Sequence, residues 1–217
     1  MGLIGFILHI DQHLVGILNQ FGGWTYLIFF LIVFIETGFV LFPFLPGDSL
    51  IFASLALAVN PKYSLNPWLC ILIFILAAVL GDTANYEIGR WSAQAGSQHN
   101  WFNRLIDKDK RLAAESFFER HGGKTIAIGR FIPLIRTFVP FVSGASNMHY
   151  GHFISYNIVG GVAWVSLFAC LGVFFGNIPA VQEHFSFIVI GIVLASVVPI
   201  LVVWLRKKMA LRREEQL

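Results

Sequence analysis

Charge is what this chain of 217 residues has least of. Asp, Glu, Lys and Arg make up 12% of it, about half the share of an ordinary soluble domain, while 57% is hydrophobic, 22 residues are Phe and the mean hydropathy is +0.73. A soluble domain with a charged surface is excluded, and the chain reads as an all-α integral membrane protein. Cysteine is nearly absent too. Cys70 and Cys170 each lie in an apolar run, and two isolated thiols supply neither a disulfide framework nor a metal-ligand spacing, so packing is their role and neither a metal nor a cofactor is expected. The opening MGLIGFILHIDQHLVGIL has no basic leader, and His9, Asp11, Gln12 and His13 interrupt its apolar run. A cleaved signal peptide is therefore not expected, and residues 1–23 read as a retained amphipathic or half-buried helix. The net charge of +3 is small, so the placement of charge tells more than its sum.

A membrane-spanning helix needs about 20 mostly apolar residues. Trp24 to about Val40, Pro67 to about Ile88 and Phe185 to Leu205 meet that requirement, and Phe153 to Gly176 makes a fourth span. Basic residues gather at Arg90, Arg104, Lys108, Lys110, Arg111, Arg120 and Lys124, and again at Arg206, Lys207, Lys208, Arg212 and Arg213. The positive-inside rule assigns both groups to the cytoplasm. Residues 91–121 then form a cytoplasmic amphipathic helix with Phe102, Leu105, Ile106, Leu112, Phe117 and Phe118 on its apolar side, and 206–217 is a basic cytoplasmic tail. Trp24, Trp68 and Trp204 mark helix ends at the interface.

Two apolar segments, 43–59 and 125–148, are too broken to span. The first holds Pro43, Pro46 and Asp48; the second holds Pro133, Pro140, Arg130 and Arg136. Counting sides, with Trp24–Val40 running outward and Pro67–Ile88 running inward, makes 43–59 begin and end outside and 125–148 begin and end inside. Both are expected to be re-entrant hairpins entering from opposite faces. Each precedes a long glycine-bearing helix, so the chain reads as one membrane domain over 1–217. It would hold an inverted repeat (24–90 and 122–176), about four spanning helices, amphipathic helices and a final span at 185–205. Broken helices of such repeats meet near the bilayer midplane and build a substrate site.

Backbone freed by these prolines cannot face lipid, since each unpaired amide costs several kcal/mol there. It must be buried in protein or line a wet cavity. A charge at a spanning-helix centre costs roughly 2.5–3.5 kcal/mol on insertion scales, so Glu36, Asp48, Arg130 and Arg136 together would cost on the order of 10 kcal/mol if isolated. They are expected to be paired or hydrated, as structural ion pairs or as a substrate and proton site. Asp82, Tyr86, Pro46, Gly47, Pro133 and Pro140 form a second tier. Asp82 reads equally as a site residue and as a hydrogen-bond partner of a hairpin turn. Tyr86 is expected in the interfacial aromatic belt, with a gate as the other reading.

Three ordered strings, ETGFVLFPFLPGDSLIF at Glu36–Phe52, GDTANYEIGR at Gly81–Arg90 and RFIPLIRTFVPFVSG at Arg130–Gly144, resemble the bacterial DedA family, whose VTT domain is shared with eukaryotic lipid scramblases. HGGKT at His121–Thr125 and N-x-x-G-x-x-x-W at Asn157–Trp164 extend the resemblance over nearly the whole chain. It implies a multi-pass protein of the bacterial inner membrane that moves a phosphate-bearing lipid such as undecaprenyl phosphate or a phospholipid between leaflets, with involvement of the proton-motive force. Position by position, the carboxylates the family requires match Glu36 and Asp48, and its arginines match Arg130 and Arg136.

The residue chemistry is compatible with that function. An arginine's planar fork suits phosphate oxygens. Desolvation raises a carboxyl pKa while a nearby arginine lowers it, so a carboxylate here can exchange a proton as substrate charge arrives. The expected partners are membrane lipids and protons, and a homo-oligomer is left open. The alternative is a proton-coupled antiporter or exporter of small cations serving membrane potential and pH homeostasis, with Glu36 and Asp48 as the cation site. An enzyme is not expected: His149 and His152 follow the arginines, but no carboxylate close in sequence would orient either ring as base-plus-orienter catalysis requires. Nucleic acid is not a partner, because the basic residues flank membrane segments and meet anionic headgroups first.

Overall fold

The computed structural model describes residues 20–39, 47–60, 63–94, 122–146 and 148–178, together with Gly16 and Gly191. The expectations for residues 1–19, for Pro43 and Pro46, for most of the 91–121 helix, for the 185–205 span and for the basic tail lie outside them. All regular structure among the described residues is helical: α1 (Thr25–Gly38), α2 (Gly47–Ala58), α3 (Pro67–Gln94), α4 (Lys124–Gly129), α5 (Pro133–Ala145) and α6 (Tyr150–Gly176). A 3-10 turn at Gly22–Trp24 leads into α1.

Among the described residues, α3 and α6 are the two helices both long and apolar enough to cross a membrane. At 1.5 Å per residue each is about 40 Å long, against a hydrocarbon core of about 30 Å. Helix α3 starts cleanly because Asn66 Oδ1 accepts the backbone N–H groups of Trp68 (3.0 Å) and Leu69 (3.3 Å), and Pro67 takes the first helical position, where no donor is missed. It runs past the expected end at Ile88 to Gln94, so Trp91–Gln94 belong to this helix and not to a separate cytoplasmic one. Nothing in GRWSAQ breaks a helix, and Arg90 reaches the exposed surface beside Glu87. Helix α6 begins three residues earlier than the expected Phe153. Leu69, Leu72, Leu76 and Leu80 line an exposed face of α3, and Ile158, Val162 and Leu171 are exposed on α6. Such apolar faces are tolerable in lipid and costly in water.

The four shorter helices pair into two hairpins. Helix α1 lies parallel to α3: the Asn66 N–H donates to the Tyr26 hydroxyl at 2.9 Å, Phe29 stacks on Phe74 with centroids 5.6 Å apart, and Gly38 faces Gly81 midway along α3. This corrects the expected antiparallel span at Trp24–Val40. The helix is 14 residues long, about 21 Å, and ends beside the middle of α3. Helix α2 then returns parallel to α6, with Asp48 against Trp164, Phe52 against Gly172 and Ala56 against Gly176. The first hairpin is therefore α1 with α2, and its first limb is the segment expected to span.

The second hairpin covers 124–145, close to the expected 125–148. Helix α4 runs parallel to the start of α6, with Gly123 on Tyr156 and Ala127 on Gly160. The chain turns at Arg130–Ile132, and α5 leads away parallel to the second half of α3, with Thr137 against Asn85 and Phe141 against Gly89. Pro133 sits in the first turn of α5 and Pro140 inside the helix. Helices α3 and α6 are antiparallel to each other: Tyr86 stacks on Phe153 at 4.4 Å, and Asn157 donates to the Val79 carbonyl at 3.0 Å. One core cluster joins α1, α2, α3 and α6 around Phe29, Phe52, Phe74 and Trp164; a smaller one joins α3, α4, α5 and α6 around Tyr86, Ile126, Val139 and Phe153.

Candidate functional site

Four helix ends converge midway along α3 and α6: the C-termini of α1 and α4 and the N-termini of α2 and α5. Glu36 comes from the last turn of α1, Asp48 from the first turn of α2, Arg130 from the turn after α4 and Arg136 from the first turn of α5. All four are buried, and so is Asp82 of α3; none is more than 8% exposed. Each would be prohibitive alone at this depth, and each is paired.

Arg136 links the two hairpins. Its Nη1 donates to Asp48 Oδ1 at 2.8 Å and its Nη2 to Glu36 Oε1, so one planar fork holds a carboxylate from each limb of the first hairpin. The Gly47 backbone amide also faces the Glu36 carboxylate. A Cβ at Gly47 would collide with that carboxylate, so a larger residue there must displace the Glu36 carboxylate. Arg130 makes a second, separate cluster. Its Nη2 donates to Asp82, to the Ala78 carbonyl at 3.2 Å and to Asn157 Oδ1 at 3.0 Å.

Trp164 lies between the clusters. Its indole N–H donates to Asp48 Oδ1 at 3.0 Å, and its ring centroid is 5.6 Å from the Arg136 guanidinium carbon and 5.8 Å from that of Arg130. Both distances are within cation–π range, where a desolvated contact contributes about 2 kcal/mol. Asn85 closes the arrangement from α3, donating to the Thr37 carbonyl at 3.3 Å and to the Thr137 carbonyl at 2.8 Å. Thr37 lies at the end of α1 and Thr137 one turn before Pro140, so one amide serves both broken helices. Thr37, Asp82, Arg130, Arg136 and Trp164 line a crevice too narrow for a bound molecule as it stands.

Of the expected site residues, Glu36, Asp48 and Arg136 meet in one cluster, and Arg130 lies next to it but pairs with Asp82. Asp82 thus holds a hairpin turn and borders the crevice at once. Gly47 and the turn before Pro133 are at the convergence, and Pro140 lies farther along α5. Tyr86 is not in an interfacial belt: it is buried, donates to the Met148 carbonyl and stacks on Phe153. His149 and His152 are exposed at the start of α6, away from the cluster. Trp164, Asn157 and Asn85 were not singled out by sequence. The signal for two of them was N-x-x-G-x-x-x-W itself, since residues seven apart share a helix face. Among the described residues no group of His, Cys, Asp and Glu is arranged to hold a metal ion.

Residues 45–174 match the family model of the VTT domain. The chain is 43% identical to protein DedA of Escherichia coli K12, over 97% of this chain and 96% of the relative. It is 41% identical to an uncharacterized membrane protein of Mycobacterium tuberculosis over 79% of this chain and 75% of the relative. It is 32% identical to the inner membrane protein YqjA of E. coli K12, over 75% and 72%. No solved structure matches it. On the matched domain and on identity along almost its full length, the chain is a membrane protein of the DedA family.

Proposed function

We propose that the protein moves a phosphate-bearing lipid, such as undecaprenyl phosphate or a phospholipid, between the leaflets of the bacterial inner membrane, coupled to protons. The observation that carries this reading is the Arg136 fork, held by two carboxylates from the opposing hairpin at the depth where four helix ends meet. A phosphate presents the same pair of oxygens to a guanidinium, so it can replace the carboxylates. The N-termini of α2 and α5 add positive dipole ends for an anion. A lipid needs only its headgroup to enter, while its tail stays in the bilayer.

In this reading α1–α2 and α4–α5 are re-entrant hairpins from opposite faces, and the two halves form an inverted repeat. Supporting it, α2 packs on α6 as α5 packs on α3. Gly89 and Gly172, each 22 residues beyond the first residue of its helix (Pro67, Tyr150), both let the opposing hairpin's backbone approach. Rocking one hairpin against the other would open the Arg136 cluster to one face at a time. The end of α3 and the start of α6 and α4, with Arg90 and Lys124, face the cytoplasm by the positive-inside rule, and the basic C-terminal tail joins them.

One observation favours a second reading. Among the described residues the buried cluster holds three carboxylates (Glu36, Asp48, Asp82) against two guanidinium groups (Arg130, Arg136), a balance that one proton or one small cation would bring to neutrality. A proton completes the lipid mechanism; a metal or organic cation would make the protein a proton-coupled antiporter. Purified protein in liposomes carrying labelled undecaprenyl phosphate, labelled phosphatidylethanolamine or a cationic dye separates the two. Movement of either lipid is expected, and movement of the dye alone would overturn the lipid reading.

A further inference from the structure

We propose that Trp164 is a positioning residue that couples the two buried ion clusters and holds both guanidinium groups in place while their carboxylate partners change; its consequence for transport rests on the lipid reading above. The geometry is specific. Asp48 Oδ1 receives two donors, Arg136 Nη1 at 2.8 Å and the Trp164 indole N–H at 3.0 Å, so the indole fixes the oxygen on which Arg136 rests. The same ring lies 5.6 Å from Arg136 and 5.8 Å from Arg130, which share no hydrogen-bond partner among the described residues. Trp164 is also the α6 residue lining the crevice between the clusters.

The chemistry explains why an indole suits this place. Glu36, Asp48 and Asp82 can each lose their hold on an arginine by taking a proton or by yielding to a substrate oxygen. The face of an indole does not titrate, and it attracts a cation lying over it through the ring quadrupole without accepting the N–H bonds that carboxylate or phosphate oxygens take. When a phosphate displaces Glu36 and Asp48 from Arg136, the ring contact persists, and the two arginines keep their spacing. A change at Glu36 is thereby felt at Arg130 and Asp82 through one rigid ring, in addition to the direct field between Arg136 and Asp82.

A thermodynamic cycle tests this in the full-length protein in detergent. Melting temperatures are measured for Glu36→Gln, Asp82→Asn and the double variant, in the parent and again in Trp164→Leu. Residues in one network show non-additive effects, so in the parent the double variant should depart from the summed single shifts, and in Trp164→Leu that departure should fall by at least half. Additive shifts in the parent, or an equal departure in both backgrounds, would overturn the proposal. Trp164→Phe keeps an aromatic face but replaces the indole with a smaller phenyl ring and removes the N–H. It should show an intermediate departure, and if Trp164→Leu does not fold, an unchanged departure in Trp164→Phe overturns the proposal instead. In liposomes Trp164→Leu should lower headgroup movement at least tenfold and Trp164→Phe severalfold. If the parent moves no lipid, the transport reading fails, and the melting cycle still decides whether Trp164 couples the clusters.

Discussion

The Arg130 guanidinium, in the turn between α4 and α5, donates to the Asp82 carboxylate midway along α3, and both side chains are buried. The contact ties the tip of one hairpin to a long helix. Removing one partner of a buried pair leaves the other charge uncompensated, which costs about 3–5 kcal/mol. Asp82→Ala should therefore lower stability by about that amount, read as a large fall in melting temperature in detergent. An unchanged melting temperature would mean that Arg130 is satisfied by Ala78 and Asn157 alone.

Gly47→Ala should be damaging although alanine favours helices. Its Cβ would strike the Glu36 carboxylate and push it from Arg136; overpacking of this kind costs about 1–3 kcal/mol. Glu36→Asp, with a shorter side chain, should recover part of the melting temperature in the double variant. If Gly47→Ala melts like the parent, the approach of α1 to α2 is looser than described.

The parallel course of α1 and α3 makes a topological prediction. In a background without Cys70 and Cys170, cysteines at Trp24 and Trp68, which are 68% and 78% exposed, should react with an impermeant thiol reagent from the same face. Trp91→Cys should react from the opposite face. Trp24 and Trp68 labelling from opposite faces would restore α1 as a span and remove the first re-entrant hairpin.

Proton coupling should reside in the carboxylates that share Arg136. Glu36→Gln and Asp48→Asn are expected to insert and fold, and to move lipid at a rate that no longer follows an imposed pH gradient. A gradient dependence preserved in both variants would give these groups a structural role only.

Much of the site was legible because charge in an apolar setting stands out. Glu36, Asp48, Arg130 and Arg136 were found this way, and so was the broken character of 125–148, where Pro133 and Pro140 interrupt an apolar run. What was not legible is direction. A short apolar helix that enters a membrane and stops has the same composition as one that crosses, so α1 read as a span; only its contacts with Asn66, Phe74 and Gly81 show that it runs with α3. Partner choice was equally hidden, since Arg130 meets Asp82 across 48 positions and Arg136 meets Glu36 across 100. Trp164 and Asn157 carry no charge, and in a chain with 6 Trp an indole in an apolar helix reads as packing until its N–H is seen on Asp48.

The central claim is that the Arg136 fork recognises phosphate, and Arg136→Lys tests it most directly. Lysine keeps the charge and can still balance Glu36 and Asp48, but it lacks the planar pair of donors. In the liposome assay the account predicts a variant that expresses and folds as the parent does and moves phospholipid headgroups at least tenfold more slowly, with the loss independent of tail length. Headgroup movement at the parent's rate would contradict phosphate recognition by Arg136 and leave the arginine as a counter-charge to its two carboxylates.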